Sequence, residues 1–219
     1  MQETAAPGDP SAAPKRGVLL DAMGTLVALE PPAPLLVAEL AARFGATISA
    51  GEAKRAFAAE IAYYKAHHVE GRDEPSLANL RHRCAGVLHA ALPAAARARF
   101  GARELEPAML ASLRFRAYPD AVGWLSVLRA AGLKLAVVSN WDVSLAAVLE
   151  EVGLAGLLDG VVTSAEVGAA KPAPAVFLRA LELLGLRPEE AIHLGDSPEL
   201  DRAGAAAAGI DSVLVSRTR

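Results

Sequence analysis

The chain has only one cysteine, Cys84, among its 219 residues. A single cysteine excludes a disulfide bond within the chain, and sparse cysteine is typical of proteins from a reducing compartment. We therefore expect Cys84 to be a small buried apolar side chain, and not a reactive or metal-ligating one.

The chain also has a small net charge and lacks long apolar segments. The formal net charge is −3 and the pI is about 6.0, so the chain lacks the basic character of a nucleic-acid-binding protein. No segment has the length and apolarity of a membrane span, and residues 2–14 lack the apolar core of a signal peptide. We expect a cytoplasmic protein without a membrane or nucleic-acid partner, and a disordered tail over residues 1–16.

Helical patterns fill the block from residue 34 to residue 116. Apolar side chains at helical spacing predict two helices, the first opened by the capping-box pair Ser49 and Glu52 and the second by Ser76 as its N-cap. A third helix is predicted over residues 107–115. The proline-rich residues 30–34, which precede the block, predict a linker or flap.

Short apolar segments alternate with helical patterns from Tyr118 to the end of the chain. Such alternation is typical of parallel βαβ units. Helix starts are predicted at Asp142 and Pro172. Strands are predicted over residues 17–21, 134–139, 160–163, 191–194 and 212–215. The sequence thus predicts an α/β fold built on a parallel sheet.

Polar side chains stand at the ends of these predicted strands. Asp21 follows the apolar run Val18-Leu19-Leu20, and Ser139 with Asn140 ends the second strand. Lys171 precedes a predicted helix start, and a further strand is followed by Asp196 and Asp201. Because ligands of parallel sheets bind outside the carboxyl ends of the strands, we expect these side chains to converge on one site.

The charges of that site are unbalanced. Asp21, Asp196 and Asp201 bring three carboxylates against Lys171 alone, and like charges in close quarters do not all stay ionised unaided. A divalent cation would resolve this. Oxygen ligands and a phosphate partner suit Mg²⁺, so we expect Mg²⁺ as the cofactor.

The segment from Asp21 to Leu26 resembles the first motif, DxDGT, of the haloacid dehalogenase superfamily of hydrolases. The resemblance implies that Asp21 is the nucleophile, that Lys171 is catalytic, and that the ligand is a small phosphorylated molecule. The implied substrate-binding residues are Thr25, Ser139, Asn140 and Lys171. The implied metal ligands are Asp21, Asp196, Asp201 and the backbone carbonyl of Met23.

Two further segments resemble one subgroup of that superfamily. Residues 139–142, and residues 162–168 followed by Lys171-Pro172, are similar to the REG-2-like hydrolases and the 2-haloacid dehalogenases. That subgroup carries a helical cap between the first two motifs. The resemblance therefore implies a Rossmann-like core over residues 17–33 and 117–219, closed by a helical cap over residues 34–116.

Met23 departs from the motif. It stands where the phosphatases of the superfamily have a second aspartate that protonates the leaving group, and a thioether cannot donate a proton. A backbone carbonyl can still bind the metal. Proton transfer would then need an activated leaving group or a donor from the cap, for which His67 and His68 are candidates.

Three functions remain open on the sequence alone. The first is a Mg²⁺-dependent phosphatase that forms an aspartyl phosphate on Asp21. The second is a catalytically impaired homologue retained for binding. The third is a 2-haloacid dehalogenase, which needs neither metal nor leaving-group acid but leaves Asp196 and Asp201 unexplained. Taken singly, Thr25 and Ser139 also fit turn residues, and Lys171 and Asp201 fit solvated charges at helix ends.

Overall fold

A computed structural model describes residues 14–217 and places a parallel five-stranded sheet at the centre of the fold. The strands of the described residues are β1 (Gly17–Leu20), β2 (Val27–Leu29), β3 (Phe115–Ala117), β4 (Lys134–Ser139), β5 (Gly160–Thr163), β6 (Ala191–Gly195) and β7 (Asp211–Leu214). The order in the sheet is β5-β4-β1-β6-β7, and every neighbouring pair is parallel. The expected α/β class is confirmed.

The central strand β1 is buried on both faces because successive side chains of a strand point in opposite directions. Val18 and Leu20 pack into one apolar cluster, and Leu19 packs into a second cluster on the other face. Helices cover both faces, so the continuous apolar run before Asp21 is what a central parallel strand requires.

The helices alternate with the strands outside one long insert. Their bounds are α1 (Pro32–Phe44), α2 (Ala50–His67), α3 (Glu74–Ala91), α4 (Ala94–Arg97), α5 (Ala102–Ser112), α6 (Ala121–Ala130), α7 (Leu145–Glu151), α8 (Ser164–Val167), α9 (Ala175–Leu184) and α10 (Ala203–Ala207). None of the helices in residues 14–217 is long and apolar enough to cross a membrane.

The first five helices form an insert between β2 and β3. These two strands pair antiparallel, with Val27 opposite Ala117 and Leu29 opposite Phe115, so the chain leaves and re-enters the core at one place. The insert helices bury a common apolar cluster that includes Leu40, Phe57 and Leu88. Cys84 is buried in that cluster, as expected.

Three helix predictions in the insert need correction. Residues 30–34 are not a linker, because α1 already begins at Pro32 and tolerates prolines in its first turn. Asp73, and not Ser76, caps α3; Ser76 is the third residue of the helix and returns a hydrogen bond to the cap. The third predicted helix is α5, which begins at Ala102 and ends at Ser112.

Two helix starts in the core are also later than predicted. Helix α7 begins at Leu145, since the carboxylate of Asp142 bonds to Tyr64 and to the amide of Ser144 instead of opening a helix. Helix α9 begins at Ala175, three residues after Pro172. Most of the predicted tail, residues 1–13, lies outside the described residues.

Candidate active site

Asp21 lies at the carboxyl end of β1, where its amide donates to Leu194 O at 2.8 Å. Its side chain is only 8% exposed. Ser139, the last residue of β4, donates its hydroxyl to Asp21 Oδ1 at 3.1 Å. The parallel pairing of β1 with β4 brings these two residues together, as the sequence predicts.

Lys171 forms the cationic centre of the site. Its Nζ donates to Asp21 Oδ1 and to Asp201 Oδ1, each at 2.6 Å, and the side chain is almost fully buried. Burial alone would lower the pKa of Lys171, but the negative charges of Asp21 and Asp201 outweigh burial and raise that pKa. The lysine is therefore a permanent ammonium ion between two carboxylates.

Asn140 holds the backbone of Lys171 in place. Its Oδ1 accepts from the Lys171 amide at 2.6 Å, and its Nδ2 donates to the Lys171 carbonyl at 3.1 Å. Both polar groups of the Asn140 side chain are thus directed at the main chain of the lysine. The substrate-binding role that the resemblance implies for Asn140 stays a prediction, and the contacts described here support the main chain of Lys171.

Asp201 is 1% exposed and receives three donors. Lys171 Nζ and His193 Nε2 lie 2.6 and 3.0 Å from Oδ1, and the Ser197 amide donates to Oδ2 at 3.0 Å. Burial opposes ionisation, yet the hydrogen bond from His193 and the charge of Lys171 hold the pKa of Asp201 well below its ordinary value. Asp201 is consequently a carboxylate despite its burial.

His193 is absent from the sequence-based site. It is fully buried on β6, and its Nδ1 has no hydrogen-bond partner within residues 14–217. Since the carboxylate of Asp201 only accepts, the imidazole proton belongs on Nε2. A histidine in an otherwise apolar strand is the signal that would have identified it.

Asp196 completes an acidic cluster with Asp21 and Asp201. One carboxylate oxygen from each lies within 4.8 Å of the others. Partial burial, followed by the charges of Asp21 and Asp201, raises the pKa of Asp196, as expected of a carboxylate that is partly buried beside others. The donor set and its unbalanced charge fit a hard divalent cation.

The turn after Asp21 is closely packed. Thr25 is fully buried, its Oγ1 has no hydrogen-bond partner in the described part of the chain, and its carbonyl accepts from Arg217 Nη2 at 2.7 Å. Met23 is half-buried and packs against the apolar cluster beside β1. Its side chain thus belongs to the apolar packing on one face of the sheet.

Neither His67 nor His68 of the insert has a contact that supports proton donation to the site. His67 Nδ1 faces the carbonyl of Tyr63 at 2.7 Å, and its ring stacks on the Tyr63 ring. His68 Nδ1 faces the carbonyl of Lys65 at 3.0 Å, and burial lowers the pKa of His68. A neutral imidazole is a poorer acid than an imidazolium.

A sequence profile of the haloacid dehalogenase-like hydrolases matches residues 15–209, which include the acidic cluster and Lys171. The chain belongs to this family. The hydrolase class expected from the motifs is therefore confirmed, and the candidate site occupies the carboxyl edge of a haloacid dehalogenase-like core.

Several curated relatives of the chain are named as phosphatases. Phosphoserine phosphatase of Thermus thermophilus is 40% identical over 133 residues, which are 60% of this chain and 53% of that protein. The chain spans between 33% and 53% of the length of the curated relatives that it matches.

Solved structures similar to this chain include both phosphatases and dehalogenases. A phosphatase of the family from Thermococcus onnurineus has a TM-score of 0.61 and 28% identity, covering 92% of this chain and 86% of that one. L-2-haloacid dehalogenase from Xanthobacter autotrophicus has a TM-score of 0.64 and 23% identity, covering 94% and 79%. This second likeness concerns the fold alone.

Proposed function

We propose that the protein is a Mg²⁺-dependent phosphatase that acts on a small phosphorylated metabolite through an aspartyl phosphate on Asp21. The observation that carries the proposal is the acidic cluster of Asp21, Asp196 and Asp201 beside the buried ammonium of Lys171. A 2-haloacid dehalogenase needs no metal, so it would not account for a cluster of residues that fits a divalent cation. The phosphatases among the relatives support the same interpretation.

The two oxygens of Asp21 have different roles in this proposal. Lys171 and Ser139 both donate to Oδ1, which fixes the carboxylate and leaves Oδ2 for attack. Oδ2 forms a bond to phosphorus while the bond from phosphorus to the leaving oxygen breaks. The ammonium of Lys171 and the hydroxyl of Ser139 then stabilise negative charge on the phosphoryl oxygens.

A water molecule completes the reaction. Its oxygen attacks phosphorus, the bond to Asp21 Oδ2 breaks, and inorganic phosphate leaves with both protons of the water, so the free carboxylate is restored. Because Met23 cannot protonate the leaving oxygen, we infer a preference for leaving groups that depart as stable anions, such as those of acyl phosphates.

Asp21, Asp196, Asp201 and the main chain of Met23 would hold the cation. Bound there, Mg²⁺ would offset the repulsion between the carboxylates and the substrate phosphate. We further propose that residues 34–116 act as a cap over a core formed by residues 17–33 and 117–219, so that side chains of the insert select the substrate.

A substrate screen tests the proposal. Purified protein is assayed against phosphate esters, acyl phosphates and 2-haloacids, each with and without Mg²⁺, beside Asp21→Asn and the control Asp211→Asn. Asp211 is an exposed partner of Lys15, remote in sequence from the nucleophile. We expect Mg²⁺-dependent phosphate release that Asp21→Asn abolishes and Asp211→Asn retains.

A 2-haloacid dehalogenase remains a second candidate because Met23 supplies no acid and a halide leaves without a proton. Halide release that requires Asp21 but does not depend on Mg²⁺ would establish the dehalogenase and refute the phosphatase. No turnover in any arm, from a folded protein, would favour the impaired homologue.

A further inference from the structure

Residues 139–143, here called the bridging segment, run from the candidate active site to the helical insert. The first two residues contact the nucleophile and the lysine. The last two contact the insert. One short stretch of chain therefore touches both parts of the molecule.

Tyr64 of α2 and Asp142 form the main contact with the insert. The Tyr64 hydroxyl donates to Asp142 Oδ2 at 2.8 Å and accepts from the Asp142 amide at 3.3 Å. Asp142 is only 4% exposed. Burial, followed by the charge of Asp142, raises the pKa of Tyr64 well above its ordinary value, so the hydroxyl keeps the proton that it donates.

A backbone contact lies beside this pair. The amide of Val143 donates to the carbonyl of Gly71 at 3.0 Å. A methyl group on Gly71 would stand 2.9 Å from Asp142 Cβ, so the chain approaches here at a distance that only glycine permits. The insert and the bridging segment are thus packed without a gap.

The middle of the bridging segment is also held. Trp141 exchanges two hydrogen bonds of 3.1 Å with Ser164 Oγ, one through its amide and one through its carbonyl. Every residue of the segment therefore has a partner. Consecutive Cα atoms are separated by a fixed distance of about 3.8 Å, so a segment held at each residue has little slack to absorb a shift at one end.

We propose that Tyr64 is a positioning residue for the hydrolytic site: through Asp142 it holds the bridging segment, and so keeps Asn140 against the main chain of Lys171. Docking of the insert thereby sets the placement of the lysine. The expected effect of Tyr64 on catalysis rests on the proposed phosphatase function. The expected effect of Tyr64 on the position of Asn140 and Lys171 is independent of that function.

Two tyrosine variants test the proposal. Tyr64→Phe removes the hydroxyl that binds Asp142. Tyr63→Phe is the matched control, because Tyr63 is the neighbouring residue of the same helix and its hydroxyl bonds to Arg83 within the insert. Both variants are built on Trp124→Phe, which leaves Trp141 as the sole tryptophan, since the chain contains two.

Two readouts need no turnover. Trp141 is 7% exposed, and its quenching by acrylamide should rise several-fold in Tyr64→Phe and not in Tyr63→Phe. The Lys171 amide donates to Asn140, so hydrogen exchange of that amide should accelerate about tenfold in Tyr64→Phe alone.

The third readout is kinetic. With a phosphorylated substrate, Tyr64→Phe should lower kcat about tenfold with a smaller change in KM, because the lysine is misplaced while the substrate pocket is kept. In the double variant Tyr64→Phe/Asn140→Ala, the fold-loss in kcat should be smaller than the product of the two single fold-losses. This is expected of two residues that act through the same contact with Lys171.

Unchanged exchange at Lys171 in Tyr64→Phe, or an equal increase in Tyr63→Phe, would overturn the inference whatever the activity. If the wild type hydrolyses none of the phosphate substrates, the proposed function fails. Quenching and exchange still decide whether Tyr64 positions the bridging segment.

Discussion

His193 illustrates how one buried side chain supports the charges of the site. Its Nε2–H donates to Asp201, and its Nδ1 has no hydrogen-bond partner within residues 14–217. The His193 and Phe177 rings meet edge to face, with 4.9 Å between their centroids. An unpaired buried nitrogen costs free energy, so the donated hydrogen bond must offset that cost. We interpret His193 as a fixed donor to Asp201.

We predict that His193→Phe lowers the free energy of unfolding by about 1.5–3 kcal/mol, the range for a hydrogen bond to a charged group. Phenylalanine fills the ring volume but leaves Asp201 without one donor. Urea unfolding provides the measurement. His89→Phe is the control, because its Nε2 faces a neutral carbonyl, that of Phe100, and should cost only about 0.5–1.5 kcal/mol. Equal losses in the two variants would refute the role of His193.

Met23 is the residue whose substitution tests the missing acid. We predict that Met23→Asp accelerates hydrolysis of esters with poor leaving groups far more than that of activated ones, with an upper limit of about 10²–10⁴-fold. The measurement is a leaving-group series on wild type and variant with Mg²⁺ present. Equal dependence of rate on leaving-group pKa in the two proteins would mean that Met23 does not mark a lost acid.

At the scale of elements, the turn from β1 into β2 must bring its backbone against Asp196. Gly24 has φ of +86°, and a methyl group there would overlap the Asp196 carboxylate. Gly132 has a similar φ of +79°, but a methyl group at that position would meet nothing within 4 Å. The two glycines differ in whether a carboxylate stands opposite.

We predict that Gly24→Ala and Gly132→Ala both lose stability, by about 1–2 kcal/mol for the left-handed backbone. Only Gly24→Ala should in addition weaken Mg²⁺ binding, measured by calorimetry, because Asp196 must move away. Equal Mg²⁺ affinity in both variants would place Asp196 outside the cation site.

Two acidic residues of α2 should respond to pH with opposite signs. Burial raises the pKa of Glu60 above its ordinary 4.5, so the stability that it contributes is full below about pH 4.5 and is lost as pH rises through the folded pKa. Hydrogen bonds from Ser49 lower the pKa of Glu52, so its contribution is present above its unfolded pKa and is lost as pH falls through the folded one.

We predict that Glu60→Gln becomes increasingly stabilising relative to wild type as pH rises above 4.5, and that Glu52→Gln becomes less destabilising as pH falls below 4.5. Urea unfolding of the three proteins on both sides of pH 4.5 gives both differences. A difference for Glu60→Gln that does not change with pH would contradict the burial of an ionisable carboxyl in the insert.

For the whole molecule, Mg²⁺ should stabilise the native state because only the folded chain assembles the acidic cluster. At a concentration about ten times Kd, the stabilisation is about 1.4 kcal/mol, which raises Tm by roughly 3–6 °C for a chain of this size. Asp196→Asn should remove most of that rise, and Asp211→Asn should not. A Tm that does not change in millimolar Mg²⁺ would contradict the proposal that the acidic cluster binds a cation.

The sequence by itself determined the α/β class and the position of most core strands. The strand predicted over residues 134–139 is β4 without change, and that over 160–163 is β5. A strand buried on both faces needs a continuous apolar run, and such a run is visible in the sequence of the segment itself. The motif at Asp21 was recognisable for the same reason, since it follows directly on such a run.

Tertiary structure decided which polar residues of the site form hydrogen bonds with one another. Asn140 faces the main chain of Lys171, and Asp142 faces Tyr64 instead of capping a helix. His193 of β6 reaches Asp201 because the chain turns back after β6 through a π-helical turn over Pro198–Arg202. These partners come from separate elements, and the pairing depends on strand order and helix docking, which no local pattern of residues encodes.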